Sequence, residues 1–297
     1  MGHHPWRPER EVTVDEATAS VRALGLAGDA VAVVAAGWDN TVVAVDHAWL
    51  FRFPRRTIAL PGVEREAAHL PRLAPLLPLP VPVPEHRGAY GDPAWPFWGA
   101  RVLPGTELAV AEHADQGEVA HAVGAFVRAL HDVPVDPTLP VDPMARADAR
   151  SRGARAREVL AGLTTAGLWD GDADVERLLA DAEASGPSTG TLVTSHGDLY
   201  ARHVLVDDRG RASGVIDWGD LCAAPASVDL AFVFSALEPQ HRAAFWAAYG
   251  EADDDTLLRA RTMAVFSVAA VASYAADTRL DALLAHSLRR LATVAVD

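Results

Sequence analysis

From Thr194 to Ala231 the chain reads TSHGDLYARHVLVDDRGRASGVIDWGDLCAAPASVDLA, and the order of residues in this stretch leaves few folds open. Val204-Leu205-Val206 and Gly214-Val215-Ile216 are short apolar runs, and Asp207-Asp208-Arg209-Gly210 between them has turn chemistry. The pattern predicts a β-hairpin. Such a hairpin sets His203 at the start of one strand and Asp217 at the end of its partner, so two residues distant in sequence meet at one point. Asp198, in His196-Gly197-Asp198, stands five positions before His203.

A carboxylate beside two metal-ligating side chains suits phosphoryl transfer. An attacking hydroxyl needs a base within hydrogen-bond reach, and Mg²⁺ must neutralise the triphosphate. In the protein-kinase catalytic loop an aspartate takes the hydroxyl proton, an asparagine five residues later holds Mg²⁺, and the aspartate of Asp-Phe-Gly holds it too. Here the spacing is the same, with His203 at the asparagine position and Asp217 opening Asp217-Trp218-Gly219. Taken singly, the parts have plainer readings: His196 as a packed core histidine, Asp217 as a strand-end cap, Asp207 and Asp208 as turn residues.

The pattern H-G-D-L-Y-x-x-H-V-L-x-D…G-x-I-D-W resembles the aminoglycoside phosphotransferase family, small-molecule kinases with a protein-kinase-like fold. With His in place of the usual Asn it looks closest to the branch holding macrolide 2′-phosphotransferases and aminoglycoside 2″-phosphotransferases. The resemblance implies that Asp198 is the catalytic base and that His203 and Asp217 hold Mg²⁺, with ATP or GTP as co-substrate. It also implies that Asp229 braces the catalytic loop, with His196 in the same supporting role, and that His131 packs beneath the loop.

The order of elements along the chain predicts an α+β, two-lobe, protein-kinase-like architecture. A small N-terminal lobe with an antiparallel sheet and a helix takes residues 1–103, and a larger, mainly helical lobe takes 104–297. The first lobe opens with a helix over 15–26, capped by Asp15, followed by strands at 31–35, 41–45 and 49–53. The turn Gly37-Trp38-Asp39-Asn40 occupies the place of a nucleotide-covering loop, and Asn40 is a nucleotide-binding candidate. Residues 63–73 have helical spacing. The chain has no lysine, all 26 of its basic residues being arginine, so Arg52 takes the phosphate-contacting role of the kinase lysine, with Glu66 as its partner. Arg55 and Arg56 are solvated alternatives. The prolines of 78–84 predict an extended connector, and 98–105 a strand entering a hinge where the backbone of Arg101, Val102 and Leu103 meets the nucleotide base. Beyond residue 106 the apolar spacing turns helical, at 119–131, 174–184, 240–249, 255–276 and 278–294.

Composition narrows the partners. A net charge of −14 argues against nucleic acid, which is bound through Lys and Arg, and is compatible with a cationic small molecule. No apolar run reads as a membrane span and the first residues lack the apolar core of a signal peptide, so a soluble, cytoplasmic protein is expected. The single cysteine, Cys222, excludes an internal disulfide and reads as inert packing. The oligomeric state leaves no mark on the sequence.

Three functions fit these residues. The first is a nucleotide-dependent phosphotransferase acting on a hydroxyl of a macrolide or aminoglycoside, or else of a sugar-like or aminoalcohol metabolite. Its substrate-binding residues are not identified; Glu238, Asp253, Asp254 and Asp255 are candidate acids that also read as solvated turns. The second is a metal-dependent hydrolase using His196, Asp198, His203 and Asp217 as a metal cluster. The third is a silent kinase-like binding module, suggested by the missing lysine and the altered metal position.

Overall fold

The computed structural model describes residues 8–26, 30–37 and 39–296. The chain divides into two compact units, Met1–Pro75 with Pro80–Leu103, and Leu76–Leu79 with Pro104–Asp297.

In the first unit a five-stranded antiparallel sheet runs in the order β1-β2-β3-β5-β4. Its strands are β1 Val31–Ala36, β2 Asn40–Val45, β3 Trp49–Pro54, β4 His86–Tyr90 and β5 Trp95–Arg101. Alternation along β2 buries Thr41, Val43 and Val45 on one face, and β3 adds Phe51 and Phe53. That face is the core. Phe53 stacks on Phe97 at 4.5 Å, and Ala17 and Val21 of helix α1, Val14–Ala23, close over them. The helix is shorter than the sequence spacing suggests and its cap is not Asp15. Thr13 accepts the Glu16 N–H while the Glu16 carboxylate takes the Thr13 N–H, a reciprocal pair that leaves Asp15 inside the first turn.

Helix α2, Leu60–Leu73, packs Val63 and Ala67 against Trp98 and Ala100 of β5. Pro71 lies inside its last turn and has no N–H for the Ala67 carbonyl one turn back. Arg87 of β4 supplies the missing donor, its guanidinium bonding the Ala67 oxygen. The helix therefore runs on past Pro71 to Leu73, where the helical spacing of 63–73 also ends. The prolines then lead through non-helical backbone into β4.

The second unit is mainly helical. Helices α3 Gln116–Asp132, α4 Ala149–Thr165, α5 Ala173–Ala184, α6 Ser227–Ala236, α7 Pro239–Tyr249, α8 Asp254–Thr278 and α9 Asp281–Leu291 pack α3 on α7, α6 on α8, and α4 and α9 on α8. Two of them gave no periodic signal. All ten residues of α6 are buried, so it has no polar face to alternate with, and α4 is rich in arginine and alanine. A correction also applies to α8: it contains a stretch long and apolar enough, by length and composition, to cross a membrane. Half of that stretch is buried inside the protein, where its alanines let α4, α6 and α9 approach.

Two small sheets carry the motif-bearing segment. Strands β6 Thr106–Glu107, β8 Val204–Val206 and β9 Ala212–Val215 form one, in the order β6-β8-β9. The expected hairpin is β8–β9, pairing Val204 with Val215 and Leu205 with Gly214. Its turn is fixed by Asp207, which accepts the N–H groups of Arg209 and Arg211. Strands β7 Leu192–Ser195 and β10 Cys222–Pro225 form the other, antiparallel, with Ser195 opposite Cys222. Cys222 is buried in β10, and burial pushes its thiol up to about 12, which keeps it inert.

Candidate active site

Asp229 holds the loop that follows β7. It sits in the first turn of α6 with no exposure, and its carboxylate accepts the backbone N–H of His196 at 2.9 Å and of Gly197 at 3.0 Å. His131, at the end of α3, donates its Nε2–H to the same carboxylate at 3.1 Å and meets the Tyr249 hydroxyl at 2.9 Å through Nδ1. Burial favours the neutral acid, yet these donors hold the Asp229 carboxyl below its usual range. Gly197 is needed here. Its φ is +86°, and a Cβ would come within 2.2 Å of the Asp220 carbonyl oxygen.

His196 fastens the loop to the end of β9. Its Nε2 donates to the Ile216 carbonyl at 3.0 Å, its Nδ1 accepts the Asp198 N–H at 3.3 Å, and its ring packs on Trp218 at 4.6 Å. Burial lowers it to about 4, so it is neutral at ordinary pH. With both nitrogens engaged His196 has no lone pair for a metal, which removes it from the four-residue cluster that a metal-dependent hydrolase needs. Among the described residues no group of three or more His, Cys, Asp or Glu side chains is placed to hold a metal ion.

His203 lies between the two acids. Its Nδ1 donates to the Asp198 carbonyl oxygen at 2.7 Å, which leaves Nε2 facing Asp217 Oδ2 at 3.4 Å. Burial works to lower its pKa, but the negative charge and hydrogen bonding of Asp217, with Asp198 behind, raise it overall. Asp217 has left the strand, with φ +65° and a side chain 45% exposed. The Asp217 carboxylate is the kind of hard oxygen ligand that Mg²⁺ takes, its shell completed by phosphate and water, and His203 Nε2 faces the same point.

The Asp198 carboxylate is 38% exposed and lies 3.9 Å from His203 Nδ1. Burial raises its pKa, opposed by His203 and the Arg146 guanidinium and reinforced by Asp220 and Asp217. Arg146 was not legible in the sequence, because its loop has no periodicity and its partner Asp220 is far along the chain.

The first unit holds the other candidates. Arg52 Nη1 and Glu66 Oε1 pair at 2.7 Å, with Glu66 1% exposed and its second oxygen taken by Trp98 Nε1 at 3.0 Å. Arg55 and Arg56 are not simply solvated: Arg55 donates to the Gly37 carbonyl at 2.8 Å and Arg56 pairs with Asp39 at 3.0 Å, so both brace the β1–β2 turn. In that turn Gly37 N–H meets the Asn40 carbonyl at 2.9 Å, and the Asn40 Oδ1 is buried without a protein partner. Trp38 lies outside the described residues. Strand β5 stops at Arg101, whose guanidinium covers Trp49 at 3.9 Å. The Val102 N–H is bonded to the Ala48 carbonyl at 3.0 Å, so that group is not open to a nucleotide base as expected. Leu103 ends the first unit.

Three of the four candidate acids for substrate binding have structural partners. Asp253 caps α8 through the Thr256 N–H, Asp254 follows in its first turn, Asp255 pairs with Arg259 at 2.8 Å, and Glu238 pairs with Arg290 at 3.0 Å.

An antiparallel sheet with a buried Arg–Glu pair, and a helical unit with an aspartate loop braced beside a His–Asp pair, define a kinase-like enzyme fold. The profile of the phosphotransferase enzyme family matches residues 30–263, and the chain belongs to this family. It is similar to an aminoglycoside 3′-phosphotransferase of Streptomyces fradiae, 36% identical over 185 residues. That match spans 58% of this chain and 64% of the relative's length. Among solved structures, an aminoglycoside 2″-phosphotransferase bound to GDP and kanamycin superposes with a TM-score of 0.69 at 19% identity, covering 94% of this chain and 97% of that one. A macrolide 2′-phosphotransferase of type I gives 0.62 at 23% identity, covering 94% and 98%. These superpositions establish the shared fold.

Proposed function

We propose that the chain transfers the γ-phosphate of a nucleoside triphosphate to a hydroxyl of a small-molecule antibiotic of the aminoglycoside or macrolide type. The observation that carries this is the position of Asp198: a partly exposed carboxylate on a loop pinned by Asp229, with the His203–Asp217 pair beside it. In this reading Asp198 orients the acceptor hydroxyl and takes its proton, and its raised proton affinity makes it a better base. His203 Nε2 and Asp217 would hold Mg²⁺, which when bound neutralises charge on the triphosphate. Arg52, held by Glu66, contacts the phosphates in place of lysine; Asn40 and the backbone around Arg101 and Leu103 complete the nucleotide-binding set. The pairing of Arg52 with Glu66 speaks against a silent binding module, since the missing lysine has not left the glutamate without a partner.

The curated relatives favour an aminoglycoside acceptor, while Asp255 and Glu238 are already paired with arginines. The test is release of nucleoside diphosphate from ATP and from GTP over a panel of kanamycin, neomycin, erythromycin and small aminoalcohols. Turnover with either nucleotide and one antibiotic is expected. No turnover with any acceptor removes the proposal.

The Arg52 role has its own check. Arg52→Ala strips a phosphate contact and leaves the buried Glu66 carboxylate without its guanidinium partner, so nucleotide affinity in calorimetry should fall about tenfold or more, a charge-assisted contact being worth ~1.5–3 kcal/mol. Arg52→Lys should recover part of this loss, since an ammonium keeps the charge but not the planar fork. Equal affinities for wild type and Arg52→Ala would take the phosphate role away from this residue.

A further inference from the structure

Arg146 takes no part in the chemistry above, yet the second unit is built to hold it in one place. Its loop is tied to β10, with Asp142 N–H on the Ala223 carbonyl and Ala223 N–H on the Pro140 carbonyl, both at 2.9 Å. The Asp142 carboxylate then accepts the N–H of Arg146 at 2.8 Å and of Ala147 at 2.9 Å. Asp142 and Ala145 both have positive φ, +28° and +49°. Non-glycine residues in that region carry strain of order 1–3 kcal/mol each, which persists only where the surroundings enforce it.

The enforced side chain is a guanidinium only 9% exposed. Nη2 donates to Asp220 Oδ2 at 2.8 Å, while Nη1 is buried with no hydrogen-bond partner. The Asp220 backbone carbonyl in turn lies against Gly197, the residue before Asp198, so closely that no side chain fits between them. We infer that Arg146 is a positioning residue for phosphoryl transfer: by gripping Asp220 it fixes the surface on which Gly197 rests, and so sets the direction of the Asp198 carboxylate. A half-satisfied guanidinium costs stability that a neutral side chain would not, which fits a residue kept for the site.

The inference rests on Asp198 being the base, so the experiment includes Asp198→Asn beside Arg146→Met, Arg146→Lys and Asp220→Asn. Turnover of ATP and GTP is measured with water and with the antibiotic panel as acceptors, and each variant is melted thermally. Arg146→Met should lower kcat about 10²-fold, the scale of a misplaced catalytic group, and leave the nucleotide KM nearly unchanged. Millimolar guanidinium chloride should restore part of that kcat by filling the vacated place, and Arg146→Lys should lie between. Asp220→Asn should lose kcat in the same way without rescue. Full kcat in Arg146→Met while Asp198→Asn is inactive overturns the inference, as does a loss that neither guanidinium nor lysine repairs. Should Arg146→Met not fold, Asp220→Asn decides, and wild-type kcat in that folded variant overturns it. If Asp198→Asn stays active, or wild type turns over no acceptor, the reading of the base fails and this inference falls with it.

Discussion

Asp198→Asn is expected to lower kcat by about 10²–10⁴-fold, the usual contribution of a positioned base, while nucleotide affinity holds. The substitution isolates the carboxylate because the loop does not depend on it. Asp198 is tied in place through its backbone, its N–H to His196 Nδ1 and its carbonyl to His203 Nδ1, and both bonds survive in the amide. Its carboxylate stands 3.9 Å from His203 Nδ1, beyond hydrogen-bond length. What asparagine cannot do is accept the hydroxyl proton. Single-turnover transfer from ATP or GTP to an antibiotic of the panel measures the chemical step, and calorimetry measures nucleotide affinity. A variant retaining more than about a tenth of wild-type kcat, set against that range, would move the base to another residue.

The sequence carried the hairpin and the residues it joins, because their signals are local: apolar triplets, a turn with Gly210, and Asp198, His203 and Asp217 at fixed offsets from them. The Arg52–Glu66 pair was legible for a related reason, since strand and helix follow each other closely and each residue's place is set by its own element's period. Where burial is complete the signal fails. Helix α6 has no polar face, so it was invisible as a helix although Asp229 inside it stood out. Long-range polar contacts leave no period either. Nothing near Pro71 announces that Arg87 will replace its missing N–H, and nothing near Arg146 points to Asp220. The boundary errors have local causes: Thr13 outcompeted Asp15 as a cap by pairing with Glu16, and the alanines of α8 hid how apolar that helix is.

Removing the anchor of the loop should cost more stability than losing either Arg52 or Arg146. Asp229 carries a buried negative charge that meets His131 Nε2–H and two backbone N–H groups, so Asp229→Ala strands three donors in a site without water access. Each unsatisfied buried donor typically costs about 1–3 kcal/mol, so the three together should cost about 3 kcal/mol or more. Asp229→Asn should cost about 1–3 kcal/mol, the penalty of one unsatisfied buried donor. The reason is geometric. His196 N–H and His131 converge on Oδ2 and Gly197 N–H on Oδ1, so whichever way the amide is turned its NH₂ faces a donor. The pH dependence follows from the depressed carboxyl. A group whose folded pKa lies below its unfolded value stabilises the fold above the unfolded value and loses that contribution as pH falls through the folded one. The stability gap between wild type and Asp229→Ala should therefore be constant from neutral pH down to about 5 and shrink below about 4, where an unfolded aspartate titrates. Urea denaturation of both proteins across that span, followed through Trp218 and the other tryptophans, measures the gap directly. A gap that is absent at neutral pH, or one that widens in acid, would mean that the ionised Asp229 carboxylate is not what holds the His196–Asp198 loop.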